Sequence, residues 1–447
     1  MTDPSRATER VVWGGWGLLT AAALVLVAVF GRNVPYWDDW KLVPVLLGGQ
    51  PPSLAWIWEQ GNEHRLPLAK AVLLALASLS GGDLRWAMLA SALLLCALPV
   101  MLLSAVRRLA GRWAWTDLLL PVALLNWGHQ INVLWQIQLH FVLAVALFTG
   151  SLVVLLHLVA PPAGAPPDGP RSRAPWALLA VALPLPFASG IGLCLAPVLV
   201  LWMAWAAPRV PERPMRRALW TCAALLAAAV ALLVASLPSS PASDVGFAGL
   251  GATAATTLRC LSTALGPVGR ELWPWSGLIV ALLGAASALL LLSTVRREPE
   301  RRLGASVLLA GLLAVFGLAL VIGRSRAGLG WEAGFAPRYT TLMAPGLCCA
   351  YLAWRLHGGA LARRVPALLC VALLLALPFN TALGLRDARR YAADLEAFAA
   401  DLRAGVAPAE AVRVHGPRIC PAEGERRVAS DLQLMRQRRL WLFRAAD

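Results

Sequence analysis

Charge is what this chain has least of. Only 14% of its 447 residues are Asp, Glu, Lys or Arg, against 59% hydrophobic. An ordinary soluble domain carries about 25% charged and about 45–50% apolar residues. The shortage excludes a soluble protein of ordinary composition, and a mean hydropathy of +0.65 agrees. Metal-binding signatures are missing too. Eight cysteines occur, but no Cys-x-x-Cys and no Cys/His spacing of a zinc site. Six of them fall within apolar spans, and only Cys260 and Cys420 lie outside, where a disulfide is permitted by compartment. There is no internal repeat. The one Gly-containing candidate for a phosphate loop, Phe187-Ala188-Ser189-Gly190-Ile191-Gly192, reads instead as a tight hairpin between spans.

Acidic residues are the scarcer sign, 24 against 40 basic, for a net charge of +16. A pI near 10.8 raises the question of nucleic acid. The arginines, however, sit in short clusters between apolar spans and form no single basic face with interleaved aromatics, so no nucleic-acid partner is expected.

Apolar runs of about 20 residues recur, each long enough to cross a ~30 Å hydrocarbon core as a helix. The pattern predicts an all-α, polytopic transmembrane bundle of about eleven spans, near 12–30, 84–105, 116–127, 138–158, 175–188, 190–206, 218–237, 274–294, 303–323, 339–354 and 365–383. The spans at 116–127 and 175–188 are short. The run after Arg6 and Arg10 reads as an uncleaved first helix, because no small-x-small cleavage site follows it. Arg107, Arg108 and Arg112, then Arg171 and Arg173, Arg209 to Arg217, Arg296 to Arg302, and Arg355 to Arg364 all fall on one side of an alternating topology. The positive-inside rule makes that side cytoplasmic. The N-terminus is then inside and the C-terminus outside. Many of the 20 Trp sit at span ends, as interfacial anchors do. Residues 1–383 form the expected bundle, with an outer loop at 31–83, and 384–447 a short outer tail. Within the loop, 66–80 reads as a helix along the outer interface. Residues 246–265 read as a second amphipathic outer segment.

The outer loop holds the densest chemistry. Asp38 and Asp39 are adjacent carboxylates between Trp37 and Trp40. A carboxylate near the interface acts as a general base when burial lifts its pKa. Two adjacent Asp also suit a divalent cation, Mg or Mn, shared with waters and a substrate phosphate. A solvated, helix-capping turn is the plain alternative. Asn62, Glu63, His64 and Arg65 follow. Arg holds phosphate bidentately, His shuttles a proton, and Glu63 is a second acid. The same residues would serve as a polar cap. Gln136, Gln138 and His140 lie at the mouth of a span, where polar groups face a cavity or bond between helices. Arg324, Arg326, Glu332, Arg338 and Tyr339 occupy another outer loop. Arginines there run against the positive-inside trend, and either an anionic lipid phosphate or pairing with acids accounts for them.

These features together resemble the GT-C superfamily of integral-membrane glycosyltransferases, which includes the protein O-mannosyltransferases and the lipid A aminoarabinose transferases. The resemblance rests on YWDDW in the first outer loop, the lead-in helix before the second span, NEHRLPL where those families often carry a His-Pro stretch, and GRSRAGLGWEAGFAPRYTTL. It covers roughly residues 12–383. It implies a polyprenyl-phosphate-linked sugar as donor and an envelope lipid, glycan or protein as acceptor, in a bacterial inner membrane. Asp38 or Asp39 would be the base, and Arg338, Arg65 or His64 would hold the departing phosphate. Two departures bear on this: His64 is not followed by Pro-Pro, and the tail is far shorter than the soluble domains of some members. A lipid-linked sugar transporter, or a non-catalytic polysaccharide assembly protein, would share much of this pattern. The first would more often show inverted repeats, and the second would tolerate Asn at positions 38 and 39.

Overall fold

A backbone in hydrocarbon must satisfy its own hydrogen bonds, which leaves helices as the solution for runs such as these. The computed structural model of the chain describes residues 4–46, 48–61, 64–160, 162–164, 175–237, 246–420 and 424–437. Its long elements are α1 (Pro4–Phe30), α2 (Pro67–Leu79), α3 (Arg85–Ala110), α4 (Leu119–Leu125), α5 (Leu139–Val159), α6 (Gly190–Ala206), α7 (Arg213–Ala235), α8 (Leu250–Ser262), α9 (Trp275–Arg297), α10 (Arg302–Arg326), α11 (Tyr339–His357), α12 (Arg364–Arg403), α13 (Pro408–Ile419) and α14 (Glu425–Gln437). The only β-structure among the described residues is a two-residue-per-strand hairpin, β1 (Gln60–Gly61) with β2 (His64–Arg65). The chain is a multi-pass helical membrane protein. Eight helices among the described residues, α1, α3, α5, α6, α7, α9, α10 and α12, are long and apolar enough to cross a bilayer.

The other three of the eleven expected spans are of different kinds. Around 116–127 there is a 3₁₀ turn, Trp115–Leu118, and then α4, which has seven residues, all buried. The chain turns at Asn126, whose Oδ1 accepts from the Gly128 N–H at 3.0 Å while its Nδ2 donates to the Val122 carbonyl at 3.0 Å. Around 175–188 two short helices, Pro175–Ala182 and Leu185–Ala188, are followed by a turn at Ser189. A Cβ on Gly192 would lie 1.9 Å from the Leu185 carbonyl oxygen, so only glycine lets this hairpin close. The third, α11, has 19 residues and is buried at every position from Tyr339 to Ala353. A helix with protein on all sides does not have to match hydrocarbon, which is why its composition is more polar. At Gly311 of α10 a Cβ would sit 2.8 Å from Cys349 Sγ and 2.9 Å from Leu152 Cδ1, so α5, α10 and α11 meet closely there.

The helix ends sort into two faces. Arg108 Nη2 donates to the Ala160 carbonyl (3.3 Å), Arg355 Nη2 to that of Arg112 (2.9 Å), and Trp202 Nε1 to Ser306 Oγ (3.0 Å). These bonds gather the arginine-rich ends of α3, α5, α6, α10 and α11. The opposite face carries residues 31–84, α8 and the C-terminal helices. α2, at 13 residues, is too short to cross and lies at this loop face, as its sequence suggests. α8 covers most of the amphipathic 246–265 segment.

The last expected span continues past residue 383 without a break: α12 runs for 40 residues, about 60 Å at 1.5 Å per residue. That is about twice a hydrocarbon core. Its distal part, with α13 and α14, packs on the acidic loop. All eight cysteines are thiols, so Cys260 and Cys420 form no disulfide.

Candidate functional site

The geometry of the loop face begins with one carboxylate. Residues Trp37–Lys41 form a 3₁₀ turn. Asp39 caps it: the Tyr36 N–H donates to Oδ2 at 3.0 Å. The Ile137 N–H donates to the other oxygen, Oδ1, at 2.9 Å. Asp39 is 2% exposed, and burial pushes its pKa well up, opposed by the two N–H groups. The carboxylate therefore pins the turn to the segment before α5. Asp38, one position earlier, points to the other side. It pairs with Lys41, Nζ to Oδ1 at 2.7 Å, and lines a cavity.

Trp37 shapes the same turn. Its φ is +50°, a region that bulky residues rarely occupy. The C-terminal helices hold it there, since Trp37 Nε1 donates to the Arg418 carbonyl at 3.1 Å. Trp40, fully buried, packs edge-on against Phe398 of α12. The tail thus forms one wall of the loop.

A second wall is the irregular stretch 126–138. Asn126, His129, Gln130, Asn132, Gln136, Gln138 and the adjoining His140 are all buried. Non-helical backbone at membrane depth persists only inside protein or along a cavity. Asn132 Nδ2 donates to the Arg338 carbonyl at 2.9 Å and to Thr341 Oγ1 at 2.7 Å, and His129 Nδ1 lies 2.8 Å from the same hydroxyl. These bonds fix the start of α11 and so place Arg338. Gln138 Oε1 and Trp135 Nε1 are buried with no hydrogen-bond partner among the described residues, and both side chains line the cavity. A buried polar atom without a partner is costly.

The cavity has a volume of about 720 Å³, within the usual range for ligand sites. Among the described residues five cations line it, Lys41, Lys70, Arg326, Arg338 and Arg427, against two carboxylates, Asp38 and Glu59. Aromatic surface comes from Trp37, Trp56, Trp135 and Phe141. Arg338 lies 5.5 Å from the Tyr339 ring centroid, and Arg326 lines the same cavity. Lys70 is held by the Trp56 and Glu59 carbonyls at 2.8 and 2.9 Å, with Nζ 4.7 Å from the Trp56 ring centroid. Burial pulls its pKa down.

Of the residues singled out in the sequence, Asp38, Gln138, His140, Arg326 and Arg338 come together in this cavity. Others stand elsewhere. Asp39 faces away. Arg65 lies outside the cavity lining: its Nε donates to Ser236 Oγ at 3.1 Å, and its other nitrogens to the Trp58 and Ser236 carbonyls. It ties the hairpin to the end of α7. Gln136 Nε2 donates to the Val34 carbonyl at 3.4 Å. Arg324 is exposed and stacks on Phe247, 4.7 Å from the ring centroid. Tyr339 is buried beneath Arg338. Glu332 pairs with Arg270 at 2.8 Å. Glu63 and the His64 side chain lie outside the described residues.

The divalent-cation expectation at Asp38 and Asp39 does not fit this donor set. Asp39 commits both oxygens to backbone N–H groups and is absent from the cavity wall, so the pair offers no shared face. Among the described residues no group of three His, Cys, Asp or Glu side chains gathers elsewhere.

Four charged lining residues that the sequence did not flag are Lys41, Lys70, Glu59 and Arg427. One signal was available for two of them. The chain contains only two lysines among its 40 basic residues, and both line the cavity. Comparison of the chain with protein families, curated proteins and solved structures finds no match.

Proposed function

We propose that this protein is a membrane glycosyltransferase of GT-C type, which moves a sugar from a polyprenyl-phosphate donor to an envelope acceptor. The observation that carries the reading is the cavity itself: a carboxylate, Asp38, shares one aromatic-lined space with Arg326 and Arg338 at the ends of α10 and α11. In this reading the acceptor hydroxyl gives its proton to Asp38 as its oxygen bonds to the anomeric carbon. The bond from that carbon to the phosphate oxygen breaks, and its electron pair leaves with the lipid phosphate. Arg326 and Arg338 take up the charge on that phosphate, a role worth far more in a low-dielectric site than in water. The indoles of Trp37 and Trp135 supply an apolar floor. Asp39 positions Asp38 and is not itself the base.

The sidedness rests on the arginine distribution. With the arginine-rich face in the cytoplasm, the cavity opens on the outer face of a bacterial inner membrane, where polyprenyl-linked sugars are consumed by this class. Purified full-length protein, offered a panel of radiolabelled polyprenyl-phosphate sugars with membrane-extract acceptors, tests the proposal. Transfer that Asp38→Asn abolishes, with an unchanged size-exclusion profile, supports it. A folded wild type that binds no lipid-linked sugar and transfers none overturns it.

A further inference from the structure

One arginine of the loop face is clamped between aromatic rings, and no carboxylate answers its charge among the described residues. Arg259, on α8, lies over the Trp331 ring, with Cζ 3.9 Å from that ring centroid and 5.6 Å from the centroid of Trp273. Trp273, Trp331 and Phe335 pack on one another, with centroids 5.6 to 5.9 Å apart. The 3₁₀ turn Trp331–Phe335 also lies along the arginine stem. A Cβ on Gly334 would sit 2.8 Å from Arg259 Cβ and 3.2 Å from its Cδ. Nε is enclosed and has no hydrogen-bond partner among the described residues. The charge can then be met only at the terminal nitrogens. Neither acid of this corner pairs with it: Glu332 is held by Arg270 at 2.8 Å, and Glu271 is exposed at the end of the short helix Val268–Glu271. All the residues that build the corner belong to the described stretch 246–420.

The corner stands at the edge of the hydrocarbon. Trp273 just precedes α9, a span that begins at Trp275, and Trp331 just follows the span that contains α10. Indoles favour that boundary. Trp275, Ile279 and Leu282 are exposed at 69, 58 and 68% and share one face of α9 by their spacing. This apolar stripe leads up to the cage. A guanidinium stacked on an indole keeps its in-plane N–H groups for the oxygens of an anion. We propose that Arg259, caged by Trp331 and Trp273, binds the headgroup phosphate of an anionic phospholipid in the leaflet at the loop face, with the lipid chains along α9. The site is separate from the cavity at Asp38 and does not rest on the glycosyltransferase reading. The occupant is a phospholipid and not a free phosphate, because the exposed stripe gives acyl chains a surface beside the cation. An anionic headgroup is preferred to a zwitterionic one, because an arginine without an acid partner attracts net negative charge.

The test uses the full chain in a neutral detergent, titrated with phosphatidylglycerol or phosphatidylcholine. Native mass spectrometry counts the lipids retained per chain. Wild type is expected to retain phosphatidylglycerol at lower concentrations than phosphatidylcholine. Arg259→Gln should weaken one phosphatidylglycerol site by about tenfold, as the loss of one charge-assisted contact would. Arg296→Gln removes the same charge from an exposed position at the arginine-rich end of α9 and should change retention by less than about twofold. Trp331→Leu, at a half-exposed position, should weaken the same site with an unchanged size-exclusion profile. It decides the test where Arg259→Gln does not fold. A folded Arg259→Gln variant that retains phosphatidylglycerol as wild type does overturns the proposal. So does a Trp331→Leu variant that behaves as wild type where Arg259→Gln does not fold. Equal losses in Arg259→Gln and Arg296→Gln, or equal retention of the two lipids by wild type, overturn it too. Displacement of phosphatidylglycerol by an equal concentration of glycerol phosphate would assign the site to a free phosphate and likewise overturn it.

Discussion

Two turns at opposite faces of this protein share a local design and differ in what surrounds them. At the loop face Tyr36-Trp37-Asp38-Asp39 forms a 3₁₀ turn in which the Asp39 carboxylate accepts from the N–H three residues back, at 3.0 Å. At the arginine-rich face Ala114-Trp115-Thr116-Asp117 does the same, with Asp117 Oδ2 and the Ala114 N–H at 2.7 Å. Both carboxylates are buried. The remaining oxygen of Asp117 is met by the Tyr351 hydroxyl and by Arg355 Nε at 3.2 Å, and the preceding Thr116 bonds the same hydroxyl at 3.0 Å. The Asp117 carboxylate and the Thr116 hydroxyl of that turn are both answered by protein. In the turn at residues 36–39 Asp39 is fastened by backbone N–H groups and Trp37 by the Arg418 carbonyl, while Asp38 pairs with Lys41 at the cavity wall. Asp38 opens into a cavity whose wall still holds an unpartnered Gln138 oxygen and Trp135 N–H. The comparison shows how one capping device serves either to lock helices or to aim a side chain. The difference lies in the residue before the cap and in what packs over it.

The sharpest way to break the comparison is Asp38→Asn. It should lower transfer by about 10²–10⁴-fold, the usual contribution of a general base, while thermal unfolding in detergent stays within a degree or two of wild type. A large loss of stability instead would make Asp38 structural like its counterpart. Asp117→Ala comes next. It strands Arg355 and should cost about 3–5 kcal/mol, as breaking a buried pair does, seen as a drop in unfolding temperature. If polyprenyl phosphate binding per folded molecule also falls, the two faces are coupled. Asp39→Ala should cost a similar amount, about 1–3 kcal/mol for each of its two stranded N–H groups, and should lower transfer through misplacement of Asp38. An Asp39 variant that is fully stable yet inactive would exchange the roles of the two aspartates.

The smallest expected effect concerns pH. Burial depresses the Lys70 pKa below the ordinary lysine value of 10.5. The folded protein then releases this proton before the unfolded chain does. Between the depressed value and 10.5 the unfolded state holds more protons, so stability rises with pH. The contribution is complete above 10.5 and is lost as pH falls through the folded value. Lys70→Met should flatten that alkaline rise in unfolding temperature. A slope equal to wild type would show that Lys70 stays charged on its two carbonyls.

Much of the site was legible because loops between apolar spans are short and their polar residues stand out. Asp38, Gln138, His140, Arg326 and Arg338 were found that way. Arg65 misled for a physical reason: an arginine bonded to carbonyls and one poised for phosphate have the same sequence neighbourhood. Lys70 was not singled out, because its partners, the Trp56 and Glu59 carbonyls, depend on how the 53–66 segment folds back. Arg427 was invisible, more than 380 positions from the loop it joins.

Local composition alone determined that this chain enters a membrane as helices, because hydropathy over about twenty residues decides transfer to hydrocarbon whatever the neighbours do. It also determined that polar residues collect in a few loops. Tertiary structure decided the rest. It set α11 among other helices, so that a polar composition suffices there. It carried α12 unbroken past residue 383 to bring the tail over the loop. It also chose between two adjacent aspartates. Neighbours in a 3₁₀ turn point different ways, and only the Ile137 N–H, supplied from 98 residues away, determines which one is fastened and which faces the cavity.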